Sequence, residues 1–328
     1  MNLEYSNFLS ILKDGLKINI DQTKVCSQEE YSFITHAHSD HVCNTPQKTF
    51  ATKETIELLN GRLIKNKFDF KPIKFNKEVY LTDNLKVTAL NAGHILGSSM
   101  FYFEDKNTTL LYTGDLNTKT SLLLKGAKPI NADILVIDST FGREGFSFPL
   151  RSLVYDSFLE KLKKDIFENK FIIIAGYTLG KNQEIISFLN KYLKIKPLVD
   201  RETYKYSKIY NQNGYSLEFT LLDHNIYSSN VLVMPLSLIN RNFIKSLEHQ
   251  LLRKVSSYVL TGWNFSRGST LLNISDHTDF ESTLDFVDQV NPKKVYTIHG
   301  FTKNLATSIE TKLGIYARPV SFLKNKGL

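Results

Sequence analysis

Tyr31-Ser32-Phe33-Ile34-Thr35-His36-Ala37-His38-Ser39-Asp40-His41 is the stretch on which the fold turns. Its first five residues form the short apolar run of a buried strand. The next six crowd three imidazoles and a carboxylate into one segment. Alternation along an extended chain points His36 and His38 to the same side, with Asp40 and His41 in the turn that follows. Imidazole and carboxylate are the ligands of zinc and similar divalent cations, and four such donors in six residues suit two adjacent metals. A polar loop with incidental histidines does not account for this spacing.

The other histidines follow the same pattern. Six of the eight (His36, His38, His41, His94, His277 and His299) stand at the ends of apparent strands, whereas His224 and His249 have no such context. Gly93-His94-Ile95-Leu96-Gly97-Ser98 and Thr113-Gly114-Asp115 are each weak signals alone, since Gly-His and Gly-Asp are common turn pairs. Together, downstream of the first cluster, they add a neutral ligand and a carboxylate able to bridge two cations.

His36-x-His38-x-Asp40-His41, His94 and Asp115 resemble the metal-binding motifs of the metallo-β-lactamase fold. Val136-Ile137-Asp138-Ser139-Thr140-Phe141-Gly142, Ser275-Asp276-His277-Thr278-Asp279-Phe280 and Tyr296-Thr297-Ile298-His299-Gly300 resemble the three later motifs of the β-CASP nucleases. Gly176-Tyr177-Thr178-Leu179-Gly180-Lys181 and Gly262-Trp263 are similar to segments of the short prokaryotic branch described as ligase-associated DNA exonucleases or mRNA 3′-end processing exonucleases.

The resemblance implies two divalent ions, zinc by the ligand types, with manganese as the alternative. One is expected on His36, His38, His94 and Asp115, the other on Asp40, His41, Asp115 and His299. Cations roughly 3.5–4 Å apart clamp the attacking and departing oxygens of a phosphodiester displacement and lower the pKa of a water. Asp40 is expected to orient that water. His277 looks like the proton donor to the leaving oxygen, with Asp138 behind it fixing the imidazole tautomer. His299 is similar to the RNA-processing branches and is shared by the short DNA exonucleases, so it leaves the choice of nucleic acid open.

Three further features compete with blander readings. Gly176-x-x-x-Gly180-Lys181 lacks the spacing and the hydroxyl of an ATPase phosphate loop, yet a strand-Gly-helix junction presents N–H groups that suit a substrate phosphate. Gly176, Gly180 and Lys181 are therefore candidate substrate-binding residues, against a plain tight turn. Cys43, near the first cluster, is expected to be a structural thiol rather than a ligand. Arg201 to Tyr210 interleaves tyrosines with lysines, but a packed amphipathic helix is preferred over a base-stacking platform.

A chain of 328 residues, 42% apolar and 23% charged, has the composition of a globular protein. No apolar run approaches the roughly 20 residues that cross a bilayer. With no signal-like N-terminus and two cysteines, a cytoplasmic location is expected. The formal charge of +8 is uneven: Phe146 to Arg267 holds 17 basic and 10 acidic residues, a net +7. A basic segment attached to a near-neutral remainder suits a polyanionic partner.

The expected architecture is an α/β one: a metallo-β-lactamase αββα sandwich of two mostly antiparallel sheets, with an inserted β-CASP α/β domain. Residues 1–145 and 268–328 form the sandwich, and residues 146–267 form the basic insert. The active site is expected where the insert narrows access to a single strand. The implied activity is metal-dependent phosphodiester hydrolysis of single-stranded DNA or RNA, exonucleolytic, in processing or repair, with a homodimer allowed. The rivals are a small-molecule hydrolase of the same fold, which leaves Asp138, His277 and the basic insert unexplained, and a non-catalytic nucleic-acid-binding subunit, which has no need of a full ligand set.

Overall fold

The computed structural model describes residues 1–22, 31–42, 48–61, 69–223, 226–264 and 268–325. Cys43 lies outside them. The chain forms β1 (Asn2–Tyr5), β2 (Leu9–Lys13), β3 (Leu16–Ile20), β4 (Tyr31–Phe33), β5 (Lys48–Thr52), α1 (Lys53–Gly61) and β6 (Asp69–Ile73). Then come β7 (Glu78–Thr82), β8 (Leu85–Asn91), β9 (Ser99–Asp105), β10 (Thr109–Tyr112) and β11 (Ile134–Asp138). Next are α2 (Arg151–Phe167), β12 (Phe171–Gly176), α3 (Lys181–Phe188), β13 (Leu198–Val199), α4 (Arg201–Gln212) and β14 (Thr220–Leu221). They are followed by β15 (Val231–Pro235), α5 (Arg241–Leu251), β16 (Val255–Leu260) and β17 (Thr270–Leu272). The last elements are α6 (Phe280–Val290), β18 (Lys294–Ile298), α7 (Thr302–Leu313) and β19 (Ala317–Pro319).

These elements fall into two compact units. The first holds Met1–Thr120, Leu124–Ser147 and His277–Leu328, and the second Ser121–Leu123 and Phe148–Asp276. Residues 268–276, expected with the returning sandwich segment, belong to the second unit, because β17 pairs with β16 as an edge strand of its sheet.

The first unit is built on sheets ordered β1-β2-β3-β4-β5-β6 and β19-β18-β11-β10-β9-β8-β7. Alternate residues of the second sheet face opposite ways, as the pleat requires. Leu110 and Tyr112 join the core facing the first sheet, where Phe33 lies between Phe50, Phe101 and Phe103 at ring distances of 4.8, 5.1 and 5.4 Å. Leu111, Leu135 and Ile137 point the other way, onto Phe280, Leu284 and Val287 of α6 and Leu305 and Ile309 of α7. With α1 packed on β5 and β6, the layers are α, β, β, α.

The sheets are mixed rather than mostly antiparallel. The β3-β4, β4-β5 and β5-β6 ladders are parallel, as are β10-β11, β11-β18 and β18-β19. Parallel neighbours need long crossovers, and the sequence supplies them as helices, loops and the whole second unit.

The second unit is an all-parallel sheet ordered β14-β13-β15-β12-β16-β17. Every residue of β12 is buried, the pattern of a strand covered on both faces. On α4, Tyr206 and Tyr210 are buried and Tyr204 packs 5.3 Å from Phe219, so this tyrosine-rich helix is a packing element. Among the described residues, no helix is long and apolar enough to cross a membrane.

The Gly176-to-Lys181 junction is committed to structure. Gly180, at φ +100°, donates its N–H to Gln183 Oε1 at 2.7 Å. Lys181 is buried, with Nζ 2.9 Å from Asp276 Oδ2. A Cβ on Gly176 would come within 2.9 Å of the Lys181 Cβ. The Gly180 N–H and the Lys181 ammonium thus have internal partners, which argues against the phosphate contacts expected of them: a buried ammonium needs its carboxylate. Lys181→Met should cost about 3–5 kcal/mol, since it leaves Asp276 buried and unpaired. Urea unfolding checks this, and the double variant with Asp276→Leu should recover part of the loss.

Candidate metal centre

The donors converge because each ends a strand or begins the loop after one. The chain leaves β4 through Ile34, Thr35 and His36, bends at Ala37, then closes a short helical turn over Ser39–His41. His94 lies in the β8–β9 loop, where Ser98 Oγ accepts from its backbone N–H at 3.1 Å. Gly93, at φ +73°, lets this loop pass the next: a Cβ there would sit 2.2 Å from the Asn117 carbonyl oxygen. Asp115 follows β10, Asp138 ends β11 and His299 follows β18.

Donor atoms of His36, His38, His94 and Asp115 all lie within 4.8 Å of one another, and so do those of His41, Asp115 and His299. A third group joins Asp115, Asp138 and His277. Asp115 is common to all three. Its Oδ2 is 3.4 Å from His36 Nε2 and 3.5 Å from His94 Nε2, while its Oδ1 is 3.4 Å from His41 Nε2. Asp40 stands apart: its side chain is 80% exposed, and Oδ2 is 3.9 Å from His41 Nε2. The Ser39–His41 turn faces it outward, so the structure does not gather it into the second group.

Two observations show that the donors fit cations. His38 Nδ1 lies 3.1 Å from both His36 Nε2 and His94 Nε2, so three ring nitrogens converge as cation ligands do. His299 Nε2 is buried with no hydrogen-bond partner among the described residues. Such an orphaned acceptor costs free energy unless something binds it.

An outer ring sets the tautomers. Asp21, at φ +48° just past β3, lies 3.0 Å from His41 Nδ1 through Oδ2 and accepts from the Thr35 N–H at 2.8 Å through Oδ1. It also accepts from Tyr112 Oη at 3.2 Å. Thr35 Oγ1 in turn lies 3.0 Å from His36 Nδ1. Both imidazoles therefore offer Nε2 to the cluster, the usual role of carboxylates behind ligating histidines. Sequence reasoning missed Asp21, whose only local signal is an acidic residue at a strand end.

Burial holds His36 well below the ordinary imidazole range, and the surrounding histidines add to this. His41 behaves oppositely: burial lowers it, but Asp115 and Asp21 outweigh that and raise it to about 10. A proton on His41 then competes with a cation. That competition holds below about pH 10 and fades as pH rises through it, so metal affinity should climb with pH and loading at pH 7 should release protons. Titrating metal into weakly buffered, chelator-treated protein with a pH indicator checks this; uptake without proton release contradicts it.

Beside the metal donors lies a dyad. His277 Nδ1 is 2.8 Å from Asp138 Oδ2, and His277 Nε2 is 3.8 Å from Asp115 Oδ2. Asp138 also accepts from Thr140 N and Oγ1, at 2.8 and 2.7 Å, through its other oxygen. Burial alone would raise this carboxyl, but the charge and hydrogen bond of His277 hold it down at about 2.

Residues 35–140 match the family described as "Metallo-beta-lactamase superfamily domain". That superfamily is the class the sandwich and its donors define, and the fold with its His/Asp cluster makes this a divalent-metal centre. A protein named "Probable DNA ligase" from Opitutus terrae is 27% identical over 87% of this chain and 28% of its own length. The "RNase J-like protein" of Methanocaldococcus jannaschii is 30% identical over 52% of this chain and 46% of its own. The chain spans less than half the length of either relative. A "Crystal Structure of a Protein of Unknown Function from Enterococcus faecalis V583" shares the fold, with a TM-score of 0.65 at 10% identity over 96% of both chains. Within the superfamily, the chain is also similar to the "5' exonuclease Apollo" of Danio rerio, at 23% identity over 85% of this chain and 50% of that protein.

Proposed function

We propose that this chain is a metal-dependent hydrolase that cleaves phosphodiester bonds of single-stranded DNA or RNA, as an exonuclease in processing or repair. The observation that carries the reading is the Asp138–His277 dyad, with His277 Nε2 3.8 Å from Asp115 beside the metal donors. Phosphodiester hydrolysis expels a poor alkoxide leaving group, and a proton donor at that position eases its departure. The names of its relatives support the nucleic-acid class, and the +7 of residues 146–267 supports a polyanion.

His36, His38, His94 and Asp115 would hold one cation, and His41, Asp115 and His299 the other, with Asp40 joining the second by a rotation of its side chain. Zinc suits the imidazole-rich set, and manganese is the alternative. Bound, the pair supplies Lewis acidity to the phosphate and to an attacking water. The chain's own residues do the rest. Asp21 and Thr35 hold His41 and His36 in register. Asp138 accepts the Nδ1 proton of His277, leaving Nε2 to deliver a proton to the departing oxygen. The setting proposed is cytoplasmic.

The test is incubation of the purified chain with 5′- and 3′-labelled DNA and RNA oligonucleotides, with and without chelator. Chelator-sensitive shortening of a labelled strand is expected. No cleavage of any strand overturns the reading.

A further inference from the structure

We infer that Arg143 is a phosphate-binding residue, held ready against a pair of packed phenyl rings at the rim of the metal centre. The inference rests on the nucleic-acid reading above. The guanidinium carbon lies 4.6 Å from the Phe301 ring centroid and 5.3 Å from that of Phe146. Those rings are 5.3 Å apart. Phe146 packs 5.1 Å from buried Phe141, whose ring is 6.0 Å from His277.

The backbone beneath is tightly knit. Phe301 N–H donates to the Ser139 carbonyl at 2.8 Å, Gly142 N–H to the same oxygen at 3.0 Å, and Phe146 N–H to the Arg143 carbonyl at 3.2 Å. Phe301 stands two residues past His299, and Arg143 five past Asp138. One hydrogen-bonded loop pair thus carries a metal donor, the carboxylate of the dyad and this arginine.

Arg143 itself is exposed, and its guanidinium has no hydrogen bond or ion pair among the described residues. The neighbouring acid, Glu144, has a partner of its own in Lys312 at 3.5 Å. Surface arginines usually lose rotamer entropy when they bind. One packed against two rings has already lost much of it and keeps its N–H edge free. That edge matches a phosphate bidentately. The ligand chemistry is therefore a phosphate of a nucleic-acid strand, either an internal diester or a terminal monophosphate.

The experiment measures affinity in chelator for a fluorescent single strand, made with a 5′-phosphate or a 5′-hydroxyl, across a salt series, and KM and kcat for its cleavage with metal. Arg143→Gln should weaken binding about tenfold. It should also flatten the slope of log affinity against log salt by about 0.7, the value for one phosphate contact on a single strand. KM should rise with kcat held, and Arg143→Lys should restore the salt slope with only part of the affinity. Phe301→Leu, which keeps the charge and removes a ring, should give an intermediate affinity. An effect on both strands assigns the internal diester, and one confined to the phosphorylated strand assigns the end. Unchanged affinity and slope in Arg143→Gln, with wild type binding and cleaving normally, overturns the inference. Failure of wild type to bind or cleave any strand instead removes the reading on which it rests.

Discussion

Asp115→Ala is expected to lower strand cleavage by at least about a thousandfold, because several kcal/mol of Lewis-acid stabilisation depend on both ions being held. No other residue belongs to all three donor groups, and its two oxygens face different histidines, His36 and His94 on one side and His41 on the other. The two imidazole-rich sets would each lose their only gathered carboxylate, so tightly bound metal should fall below two ions per chain by elemental analysis. Unfolding in chelator separates this from misfolding: the variant should unfold cooperatively, near the wild-type midpoint. Full metal content with full activity would remove Asp115 from the centre.

His277→Ala is expected to slow cleavage by about 10²–10⁴, the usual contribution of a positioned general acid. The loss should shrink sharply on a p-nitrophenyl phosphodiester, whose leaving oxygen departs without a proton. Equal losses on both substrates would mean that His277 holds structure or metal rather than a proton. Asp138→Asn should copy the effect in part, because an amide can present its own N–H to Nδ1 and favour the wrong tautomer. The Asp138 carboxyl is depressed to about 2, so its stabilisation is complete above its ordinary value near 3.9 and is lost as pH falls through 2. Acid unfolding of the chelated protein should therefore show less destabilisation between pH 4 and pH 2 in Asp138→Asn than in wild type.

What the sequence made legible was governed by chemistry that tolerates few residue types. A cation needs imidazoles and carboxylates, and strand ends are where they are held, so His36, His38, His94 and Asp115 stand out without any structure. Asp21 did not, because its partner His41 is distant in sequence and only the parallel β3-β4 register brings the two within 3.0 Å. Lys181 shows the converse: a lysine after a glycine turn looks available in sequence, and the fold buries it against Asp276. Strand direction was equally hidden. Alternating apolar residues mark a strand, but whether its neighbour runs parallel depends on where the connection returns. Arg143 gave no local signal, since Phe301 reaches it from the far end of the chain.

The β11-β18 ladder pairs Ile134 with Lys294 and Asp138 with Ile298, strands separated by the whole second unit. On a ribosome, the ligand-bearing turns up to Asp115 emerge first, while the histidine that completes the dyad and the last imidazole follow only after the whole second unit. A half-made chain thus carries donors able to gather a cation but lacks His277 and His299. The connectivity thus makes the dyad and the second donor group the last parts of the centre to be joined, as the β11-β18 ladder closes.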